Sequence, residues 1–367
     1  MIVLALNAGS SSLKFALFEG EKVLNRGVIE RIGQPGGPAD MQEAVQRMAK
    51  RVEAVCGWER IGAVGHRVVH GGTRYSKPAR VTPELKEAVA ELAVLAPLHN
   101  PLNLAVIERA EALAPKVPHV AVFDTAFHQT LAPSAYLYGL PREVYEKHGV
   151  RRYGFHGISH AYAVQTVADW LNRPVRSLRL ITLHLGSGAS LCAVKNGQSV
   201  DTSMGFTPTA GLVMGTRCGD VDPAAVCRLE ALGYDPQALM EKEGGLKGLC
   251  GDSDMRTVLR RAEAGEETAR EALAVYVQQI RRYLGAYWLE LGGADALVFT
   301  GGVGERAEKI RQMVCEGLGP FGVVLDEAKN ACHARDISAK EAKVRVLVVP
   351  ADEERAIARE TRTLLEI

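Results

Sequence analysis

Apolar runs interrupted by small polar turns mark the first strands of this chain. Residues 2–6 are apolar, residues 8–12 read Ala-Gly-Ser-Ser-Ser, and apolar positions at Leu13, Phe15 and Leu17 then alternate with their neighbours. A buried run, a turn and a period of two predict a β-hairpin. A P-loop is excluded, because it needs a second glycine before its lysine and opens a helix. The tip of the hairpin offers hydroxyls and backbone N–H groups to a phosphate anion; the alternative is a plain serine-rich turn.

A second copy of this pattern occupies residues 180–198. Both segments read as an apolar strand, a polar residue, a small Gly/Ser turn and a second apolar strand. When Gly186 is aligned with Gly9, His184 falls opposite Asn7. Internal similarity of this kind predicts two related domains. If the domains face each other, both turns line one cleft that holds the phosphates of a nucleotide.

A third glycine-rich element follows at residues 296–318. An apolar run predicts a strand over 297–299, and the three glycines after it would let the backbone approach a ligand. Apolar spacing from Ile310 to Leu318 then predicts a helix. A strand, glycines and a helix in this order favour a nucleotide-binding edge.

Two longer helical patterns and one loop complete the secondary-structure prediction. Residues 260–293 form one long helical pattern, whose apolar stripe favours a core or dimer contact rather than a ligand site. Residues 354–367 predict a C-terminal helix that closes the first domain, and residues 34–40 predict a loop. The stripe consists of Ala272, Val275, Tyr276, Ile280, Tyr283, Leu284, Tyr287 and Trp288.

Composition narrows the functional class without identifying it. The 367 residues suggest two domains or one large one, and 47% hydrophobic with 24% charged residues is ordinary for a globular protein with a good core. A net charge of +1 gives no reason to expect nucleic acid or an anionic membrane as partner. Seven cysteines without a CxxC pair predict reduced thiols and a cytoplasmic location. The sequence shows neither a signal-peptide pattern nor an apolar segment of bilayer length.

Ten segments in order along the chain are similar to the acetate kinase family, within the actin, Hsp70 and sugar-kinase superfamily. The resemblance implies an α/β fold of two actin-like (ribonuclease H-like) domains with a nucleotide cleft between them. Domain I would comprise residues 1–130 and 354–367, and domain II, which binds nucleotide and forms the dimer, residues 131–353. The ten segments are LNAGSSSLKF, GHRVVHGG, APLHNP, FDTAFH, RRYGFHGISH, HLGSGAS, GTRCGDVDP, DMR, FTGGVGE and PADEE.

The resemblance implies reversible in-line transfer of the ATP γ-phosphoryl group to acetate, which gives acetyl phosphate and ADP. Such a transfer asks the protein mainly for positioning and for cations against the phosphoryl group. A short carboxylic acid is already ionised at neutral pH, so no strong general base is needed. The implied cofactor is Mg²⁺, with Mn²⁺ as a substitute, and the implied assembly is a homodimer through domain II.

Four residues carry the chemistry that the resemblance implies. Arg67 would bind the acid, since a guanidinium forks onto a carboxylate, and Arg217 would stabilise the transferring phosphoryl group. His156 would donate a hydrogen bond to an equatorial phosphoryl oxygen. Asp124 matches the residue that the family describes as acid or base; because the acid arrives ionised, we assign it mainly to the metal and phosphoryl environment.

Each of these residues also has a structural alternative. Arg67 could form a surface salt bridge, and Arg217 could pair with a nearby aspartate, Asp220 or Asp222. A lone histidine such as His156 is more often structural. Asp124 could cap a following helix.

Magnesium, nucleotide and acyl contacts carry over from the family in the same way. Asn7 and Glu353 match the magnesium positions, although Glu353 could instead be a first-turn helix glutamate with Asp352 as the cap. The phosphate contacts would be Lys14, His184, Gly186, Ser187 and Gly188, and the adenosine contacts Asp254, Met255, Arg256, Gly302, Val303, Gly304 and Glu305. The acyl pocket would be Val69, Leu98, Phe155 and Pro208. These apolar residues leave room for acetate first and propionate second, and one methylene is worth only about 1–3 kcal/mol.

Four sites depart from the family pattern, and three other functions remain open. Ser187 replaces an asparagine, Cys218 a serine and Arg306 an asparagine, and PADEE at residues 350–354 replaces the usual Thr-Asn/Asp-Glu-Glu. These changes bear on nucleotide affinity and on the choice of phosphoryl donor. The alternatives are a propionate or butyrate kinase, an actin-like or Hsp70-like ATPase without an acid pocket, and a nucleotide-binding protein that has lost catalysis.

Overall fold

A computed structural model describes residues 1–9, 11–97 and 99–367 of the chain. The chain divides into two compact units, one comprising residues 1–129 and 352–367 and the other residues 130–351. The limits expected from the sequence are 130/131 and 353/354, so Glu353 belongs to the first unit rather than the second. Each unit contains one sheet with helices packed against it, which confirms the predicted α/β class.

Strands and helices alternate along most of the chain. The strands are β1 Ile2–Ala8, β2 Ser12–Glu19, β3 Lys22–Glu30, β4 Ile61–Val68, β5 Ala79–Arg80, β6 His119–Phe123, β7 Arg179–Leu185, β8 Ala189–Lys195, β9 Gln198–Thr202, β10 Ala296–Thr300 and β11 Arg345–Val348. The α-helices are α1 Met41–Cys56, α2 Pro83–Glu91, α3 Asn100–Leu113, α4 Pro133–Tyr136, α5 Arg142–His148, α6 Gly157–Leu171, α7 Pro223–Ala231, α8 Pro236–Ala238, α9 Gly245–Cys250, α10 Met255–Glu263, α11 Glu267–Leu291, α12 Gly301–Arg306, α13 Glu308–Cys315, α14 Glu327–Ala331 and α15 Glu353–Leu365.

The first unit contains a six-stranded sheet in the order β3-β2-β1-β4-β6-β5. The predicted hairpin forms, since β1 and β2 pair antiparallel with Asn7 opposite Lys14. Strands β1, β4 and β6 run parallel. The carboxyl ends of parallel strands meet at one edge of a sheet, where ligands commonly bind. This edge therefore carries Asn7, Arg67 and Asp124, at or just after the ends of three strands.

The second unit contains a five-stranded sheet in the order β11-β10-β7-β8-β9. The second predicted hairpin also forms, with β7 and β8 antiparallel and His184 opposite Ser190. Strand β10 is parallel to β7 and places Thr300 opposite His184. The glycines that follow β10 therefore start beside the turn that follows β7.

Helix α1 illustrates how local sequence and packing agree in the first unit. Asp40 caps the helix, because its side chain accepts a hydrogen bond from the backbone N–H of Glu43. Val45, Met48 and Val52 recur at helical spacing and are buried in the same core as Leu4, Leu6, Leu13, Phe15 and Leu17 of the hairpin. This core fixes the register of the hairpin, since a slip of one residue would turn its apolar side chains outward.

Two helical predictions need correction. The prediction of a single helix over residues 260–293 is wrong. Helix α10 ends at Glu263 and α11 begins at Glu267. Gly265 between them adopts φ +94°, which ends the first helix. In the predicted apolar stripe, Val275 is 44% exposed and does not belong to the core. The helix predicted from Ile310 to Leu318 forms as α13 but ends at Cys315, and a separate short helix, α12, precedes it from Gly301 to Arg306. In the described ranges, no helix combines the length and apolar character that crossing a bilayer requires.

Candidate functional site

Arg67 and Asp124 form a buried ion pair at the carboxyl edge of the first sheet. The guanidinium donates from Nε and from Nη2 to Asp124 Oδ2, at 3.0 and 2.5 Å. Its third nitrogen, Nη1, donates to Asn7 Oδ1 at 3.1 Å. The Asp124 side chain is only 1% exposed. Arg67 is therefore held by residues from β1 and from the end of β6, and it is not an exposed surface pair.

Asn7 joins this pair to the start of the C-terminal helix. Its Nδ2 donates to Glu353 Oε2 and to Glu354 Oε1, both at 2.8 Å. Asp352 caps α15 by accepting from the backbone N–H of Arg355. Glu353 is thus a first-turn glutamate, as the alternative reading expected, and it also accepts a hydrogen bond from Asn7. Its assignment to magnesium stays a prediction. We call Asn7, Arg67, Asp124, Glu353 and Glu354 the Arg67 cluster.

Burial and like charges dominate the electrostatics of the Arg67 cluster. Desolvation raises the pKa of Asp124 and Glu353 raises it further, while Arg67 opposes both effects. Desolvation also raises the pKa of Glu354, and Lys14 opposes it. Burial by itself would lower the pKa of Arg67, but the carboxylates of Asp124, Glu353 and Glu354 outweigh it and raise that pKa. An additional cation would relieve the repulsion among the three carboxylates.

One atom of the Arg67 cluster indicates that a further ligand belongs there. Asp124 Oδ1 is buried and has no hydrogen-bond partner in the described part of the protein. A buried acceptor without a partner costs about 1–3 kcal/mol, so such atoms usually meet a water, an ion or a substrate. The same observation shows that Asp124 does not cap the short 3₁₀ turn Ala126–Thr130, because its other oxygen is bonded to Arg67.

Carboxylate and amide oxygens are ligands that suit Mg²⁺, and the Arg67 cluster supplies both kinds. The amide oxygen of Asn7 already accepts from Arg67. Among the described residues, no group of three or more His, Cys, Asp or Glu side chains could hold a metal ion. The carboxylates of Asp124 and Glu353 are the groups of this cluster that could hold a magnesium ion.

Three histidines, His156, His160 and His184, lie close together in the second unit. His156 adopts φ +58°, which is uncommon for a residue other than glycine, at the residue before α6. Its ring stacks on His184 with the ring centroids 4.3 Å apart. His156 Nδ1 lies 2.9 Å from Ser190 Oγ, and His184 Nδ1 lies 2.8 Å from Ser159 Oγ. We call these four residues, together with His160, the His156 cluster.

Arg217 and His156 meet at the turn between β7 and β8. A Cβ atom added to Gly188 would lie 3.2 Å from Arg217 Nη2 and 3.3 Å from His156 Nε2. Arg217 Nη1 donates to the carbonyl of Pro208 at 2.7 Å. The two aspartates proposed as alternative partners are engaged elsewhere: Asp220 accepts from Tyr283, and Asp222 caps α7. A side chain at 188 would therefore crowd a guanidinium and an imidazole, which lie on one side of the turn.

Glycines also shape the segment that follows β10. Gly301 adopts φ +78°, and a Cβ there would lie 2.6 Å from the carbonyl oxygen of Leu185. Gly302 has nothing within 4 Å of such an atom, so this side of the turn is open. Glu305 Oε1 accepts from the backbone N–H of Ala351 at 2.9 Å. The side chain of Glu305 thus fixes the backbone at Ala351.

The remaining predicted contacts differ in exposure. Asp254 caps α10 and pairs with Arg256 at 2.5 Å on the surface, whereas Met255 between them is buried. In the predicted acyl pocket, Val69 of the first unit and Phe155 of the second are buried. The carbonyl of Pro208 accepts from Arg217. Leu98, the fourth pocket residue, lies outside the described residues.

Sequence reasoning missed Arg311, which holds the end of α12. Arg311 is completely buried, and its guanidinium donates to the carbonyls of Gly304 and Glu305 at 2.8 and 2.9 Å. It also donates to Asn330 Oδ1 at 2.8 Å. Desolvation lowers its pKa, yet the ring of acceptors keeps it satisfied. The sequence offered one signal for this role, an arginine directly after Ile310 in a helix predicted to be apolar on one face.

Ser190 and Glu354 were missed as well. Ser190 is a fully buried hydroxyl near the start of an apolar strand, which is a recognisable signal for a polar partner. Glu354 follows the predicted Glu353, and only the structure shows that both carboxylates reach Asn7.

Comparisons with known proteins agree on one family. A family model described as the acetokinase family matches residues 2–359. A protein named acetate kinase from Leifsonia xyli subsp. xyli is 48% identical over 386 residues, which cover 98% of this chain and 97% of that protein. The crystal structure of Porphyromonas gingivalis acetate kinase superposes with a TM-score of 0.91 at 42% identity, covering 99% of each chain. A propionate kinase from Francisella tularensis superposes with a TM-score of 0.91 at 36% identity, again over 99% of each chain.

Proposed function

The chain belongs to the acetokinase family, and from that membership we propose that it transfers the γ-phosphoryl group of ATP reversibly to the carboxylate of acetate. The products are acetyl phosphate and ADP. The observation that carries this proposal is the approach of Arg217 and His156 to the Gly188 turn. A guanidinium and an imidazole beside a glycine turn are suited to bind the oxygens of a phosphoryl group.

Arg217 supplies the positive charge in the proposed mechanism. Phosphoryl transfer spreads negative charge over the equatorial oxygens of the transferring group. Arg217 stabilises that charge, and its bond to the Pro208 carbonyl fixes one of its nitrogens in advance. His156 adds a directional hydrogen bond to the same group. The backbone N–H groups near Gly186 and Gly302 hold the phosphates of the nucleotide.

Arg67 positions the acid in this proposal. Its guanidinium binds the substrate carboxylate, and Asp124 keeps the guanidinium oriented by accepting from two of its nitrogens. Because acetate is already ionised, no proton has to be removed before it attacks. Glu353, Asn7 and Asp124 would hold Mg²⁺ through its waters. The ion supplies charge neutralisation on the nucleotide phosphates when bound.

Acetate is the first expectation for the acid and propionate the second. Val69 and Phe155 are buried and apolar, which suits a short alkyl group. A propionate kinase superposes on this chain as well as an acetate kinase does. A single methylene contributes only about 1–3 kcal/mol, so both acids are expected to react at different rates.

The decisive experiment traps the product chemically. Purified protein is mixed with Mg-ATP, hydroxylamine and acetate, propionate or butyrate in separate reactions, and the hydroxamate is quantified. The largest signal with acetate supports the proposal, and a larger signal with a longer acid retains the mechanism with a different substrate. ATP hydrolysis that ignores every acid would favour the ATPase alternative. Absence of signal with ATP and GTP, and in the reverse direction from acyl phosphate and ADP, would overturn the proposal.

We also propose a cytoplasmic homodimer that associates through the second unit. All seven cysteines are free thiols, which suits a reducing compartment. Leu289 on α11 is 82% exposed, and an apolar side chain in that position suits burial by a second copy. Sedimentation of the wild type and of Leu289→Asp tests the assembly. A monomeric wild type would contradict it.

A further inference from the structure

A long loop of the second unit carries Arg217. It comprises residues 203–222, all of which the structure describes and none of which belongs to a helix or strand, and it joins β9 to α7. The loop also contains Pro208, whose carbonyl accepts from Arg217. A loop of more than about 12–15 residues without secondary structure is usually functional or disordered, so an ordered one depends on contacts that hold it. We call residues 203–222 the Arg217 loop.

Gly211 and Asp220 close the Arg217 loop at a neck. The backbone N–H of Gly211 donates to Asp220 Oδ1 at 2.8 Å, and the backbone N–H of Asp220 donates to the Gly211 carbonyl at 3.0 Å. Gly219 beside them adopts φ +74°, and a Cβ there would lie 2.6 Å from the Gly211 carbonyl oxygen. The chain therefore turns back on itself at the neck, and Arg217 lies between the two paired residues.

Helix α11 holds the other carboxylate oxygen of Asp220. The hydroxyl of Tyr283 donates to Asp220 Oδ2 at 2.6 Å, and Gln279 Nε2 donates to the same oxygen and to the Gly211 carbonyl, both at 3.2 Å. Gln279 Oε1 accepts from Arg282, so the nitrogen of this amide is the atom that faces the neck. Gln279 and Tyr283 are four residues apart and lie on one face of the helix. One carboxylate thus attaches the neck to a helix of 25 residues.

The segment inside the neck is bonded to the turn between β7 and β8. The backbone N–H of Gly215 donates to the Ser187 carbonyl at 3.1 Å. The guanidinium of Arg217 approaches Gly188 in the same turn. The position of Arg217 relative to this turn therefore depends on how the ends of the segment are held at the neck.

We propose that Asp220 is a positioning residue that places Arg217 against the turn between β7 and β8, with Gln279 and Tyr283 as its supports on α11. This proposal rests on the proposed function, in which Arg217 stabilises the transferring phosphoryl group. A displacement of about 1 Å can cost a hundredfold in rate, so the closure of the loop affects catalysis although Asp220 acts only through Arg217.

Hydrogen–deuterium exchange measures the closure of the neck without an activity assay. Full-length protein is exchanged at pH 7.5, and peptides that cover residues 203–220 are followed by mass spectrometry. Asp220→Asn keeps the shape of the side chain, but in either orientation its new amide nitrogen faces a hydrogen-bond donor of Gly211, Gln279 or Tyr283. These peptides should therefore exchange several-fold faster than in the wild type.

Asp222→Asn is the matched control for this variant. It removes the same charge two residues away, at the cap of α7, and asparagine is about as good a helix cap as aspartate. The structure assigns Asp222 no bond to the neck, since its side chain accepts from the backbone N–H of Ala224. We expect wild-type exchange over residues 203–220 and a wild-type kcat.

Kinetics test whether Asp220 acts through Arg217. Asp220→Asn should lower kcat by about 10–100-fold and change the KM values for acetate and ATP by less than about twofold, because Arg217 acts on the transferring group. Tyr283→Phe removes one support and should give a smaller decrease in kcat. In an Arg217→Ala background, Asp220→Asn should lower kcat no further, since no guanidinium is left to position.

Two results would overturn the proposal. One is a folded Asp220→Asn variant that keeps wild-type exchange or wild-type kcat. The other is an equal fold-loss of kcat in the wild-type and Arg217→Ala backgrounds, which a role independent of Arg217 would give. If Asp220→Asn does not fold, Tyr283→Phe decides by the same criteria. Exchange does not depend on activity, so a wild type that forms no acyl phosphate would contradict the proposed function, and the exchange result would still decide whether Asp220 closes the loop.

Discussion

The two glycine hairpins have the same backbone pattern and carry opposite chemistry. Asn7 ends β1 and lies among carboxylates, with its amide bonded to Glu353 and Glu354. His184 occupies the corresponding place in β7 and lies among hydroxyls and imidazoles. The first hairpin thus contributes to a cluster that attracts cations, whereas the second contributes neutral and cationic donors. The repeated hairpin determines the position of each side chain, and the residues that the side chain contacts determine its chemical role.

Electrostatic environment accounts for the difference between the clusters. In the Arg67 cluster, the carboxylates repel one another and their pKa values are raised by burial, so a cation stabilises them. In the His156 cluster, buried hydroxyls satisfy the imidazoles, and Arg217 provides the charge. In the proposed mechanism, the Arg67 cluster serves the metal and the acid, and the His156 cluster serves the transferring phosphoryl group.

Removing Arg217 should have the largest effect on activity. Arg217→Ala deletes the cation beside the Gly188 turn, and loss of one preorganised stabilising group typically lowers kcat by about a hundredfold or more. The measurement is acyl phosphate formation under saturating ATP and acetate, with circular dichroism to show an intact fold. Arg228→Ala, an exposed arginine on α7, is the matched control and should retain full activity. A near-normal kcat for Arg217→Ala would remove Arg217 from the mechanism.

Neutralising Asp124 tests the Arg67 cluster in the same way. Asp124→Asn keeps the shape of the side chain but weakens two charge-assisted bonds to Arg67, each worth about 1.5–3 kcal/mol. Arg67 then loses its orientation, and we expect the KM for acetate to rise about tenfold or more. Steady-state kinetics at several acetate concentrations measure the change. Glu111→Gln, in a half-exposed pair with Lys86, is the control. An unchanged KM for acetate would show that Asp124 does not orient Arg67.

Substitutions at Gly301 and Gly302 should affect folding and nucleotide binding separately. Gly301→Ala should destabilise the protein by about 1–3 kcal/mol, because the residue has φ +78° and the new Cβ would meet the Leu185 carbonyl at 2.6 Å. Gly302→Ala should leave the free energy of unfolding within about 0.5 kcal/mol, since nothing lies within 4 Å of the new atom. If nucleotide approaches this open side, Gly302→Ala raises the KM for ATP several-fold. Equal destabilisation by both changes would contradict this distinction.

Buried histidines of the first unit predict how stability depends on pH. Desolvation lowers the pKa of His70 to about 4, and it also lowers the pKa values of His66 and His119. The unfolded chain binds protons at these sites near pH 6.5, whereas the folded protein does not, so stability falls as pH drops below about 6.5 and is constant above it. His70 alone contributes about 2 kcal/mol of this loss between pH 7.5 and 5.

Denaturant unfolding at pH 7.5 and pH 5 measures the effect. His70→Asn should reduce the difference between the two pH values, while His148→Asn, an exposed position on α5, should not change it. Kinetic constants per folded molecule should stay the same in both variants, because we assign His66 and His70 structural roles. A His70→Asn protein with the full pH dependence would show that the loss originates elsewhere.

Local sequence patterns predicted most of the secondary structure that carries the site. Both hairpins and the strand before the glycines form where the apolar runs and turns indicated. These elements could be predicted because strand alternation and turn chemistry depend on neighbouring residues. The long helix over 260–293 was predicted wrongly, since a single glycine with positive φ ended α10 within an otherwise helical pattern. The predicted roles of the site residues came from the family resemblance and stay predictions until the variants are measured.

Sequence by itself determined the class of fold, the family and the residue types available at each turn. Only tertiary structure decided which of these residues are partners. Asn7 and Glu353 are separated by 346 positions, yet they are bonded because α15 packs against β1 and β4. Ser190 lies behind His156 because the residue before α6 adopts a left-handed conformation that turns its ring toward β8. Hydrogen-bond partners of this kind depend on long-range packing and strand register, which no local window of sequence contains.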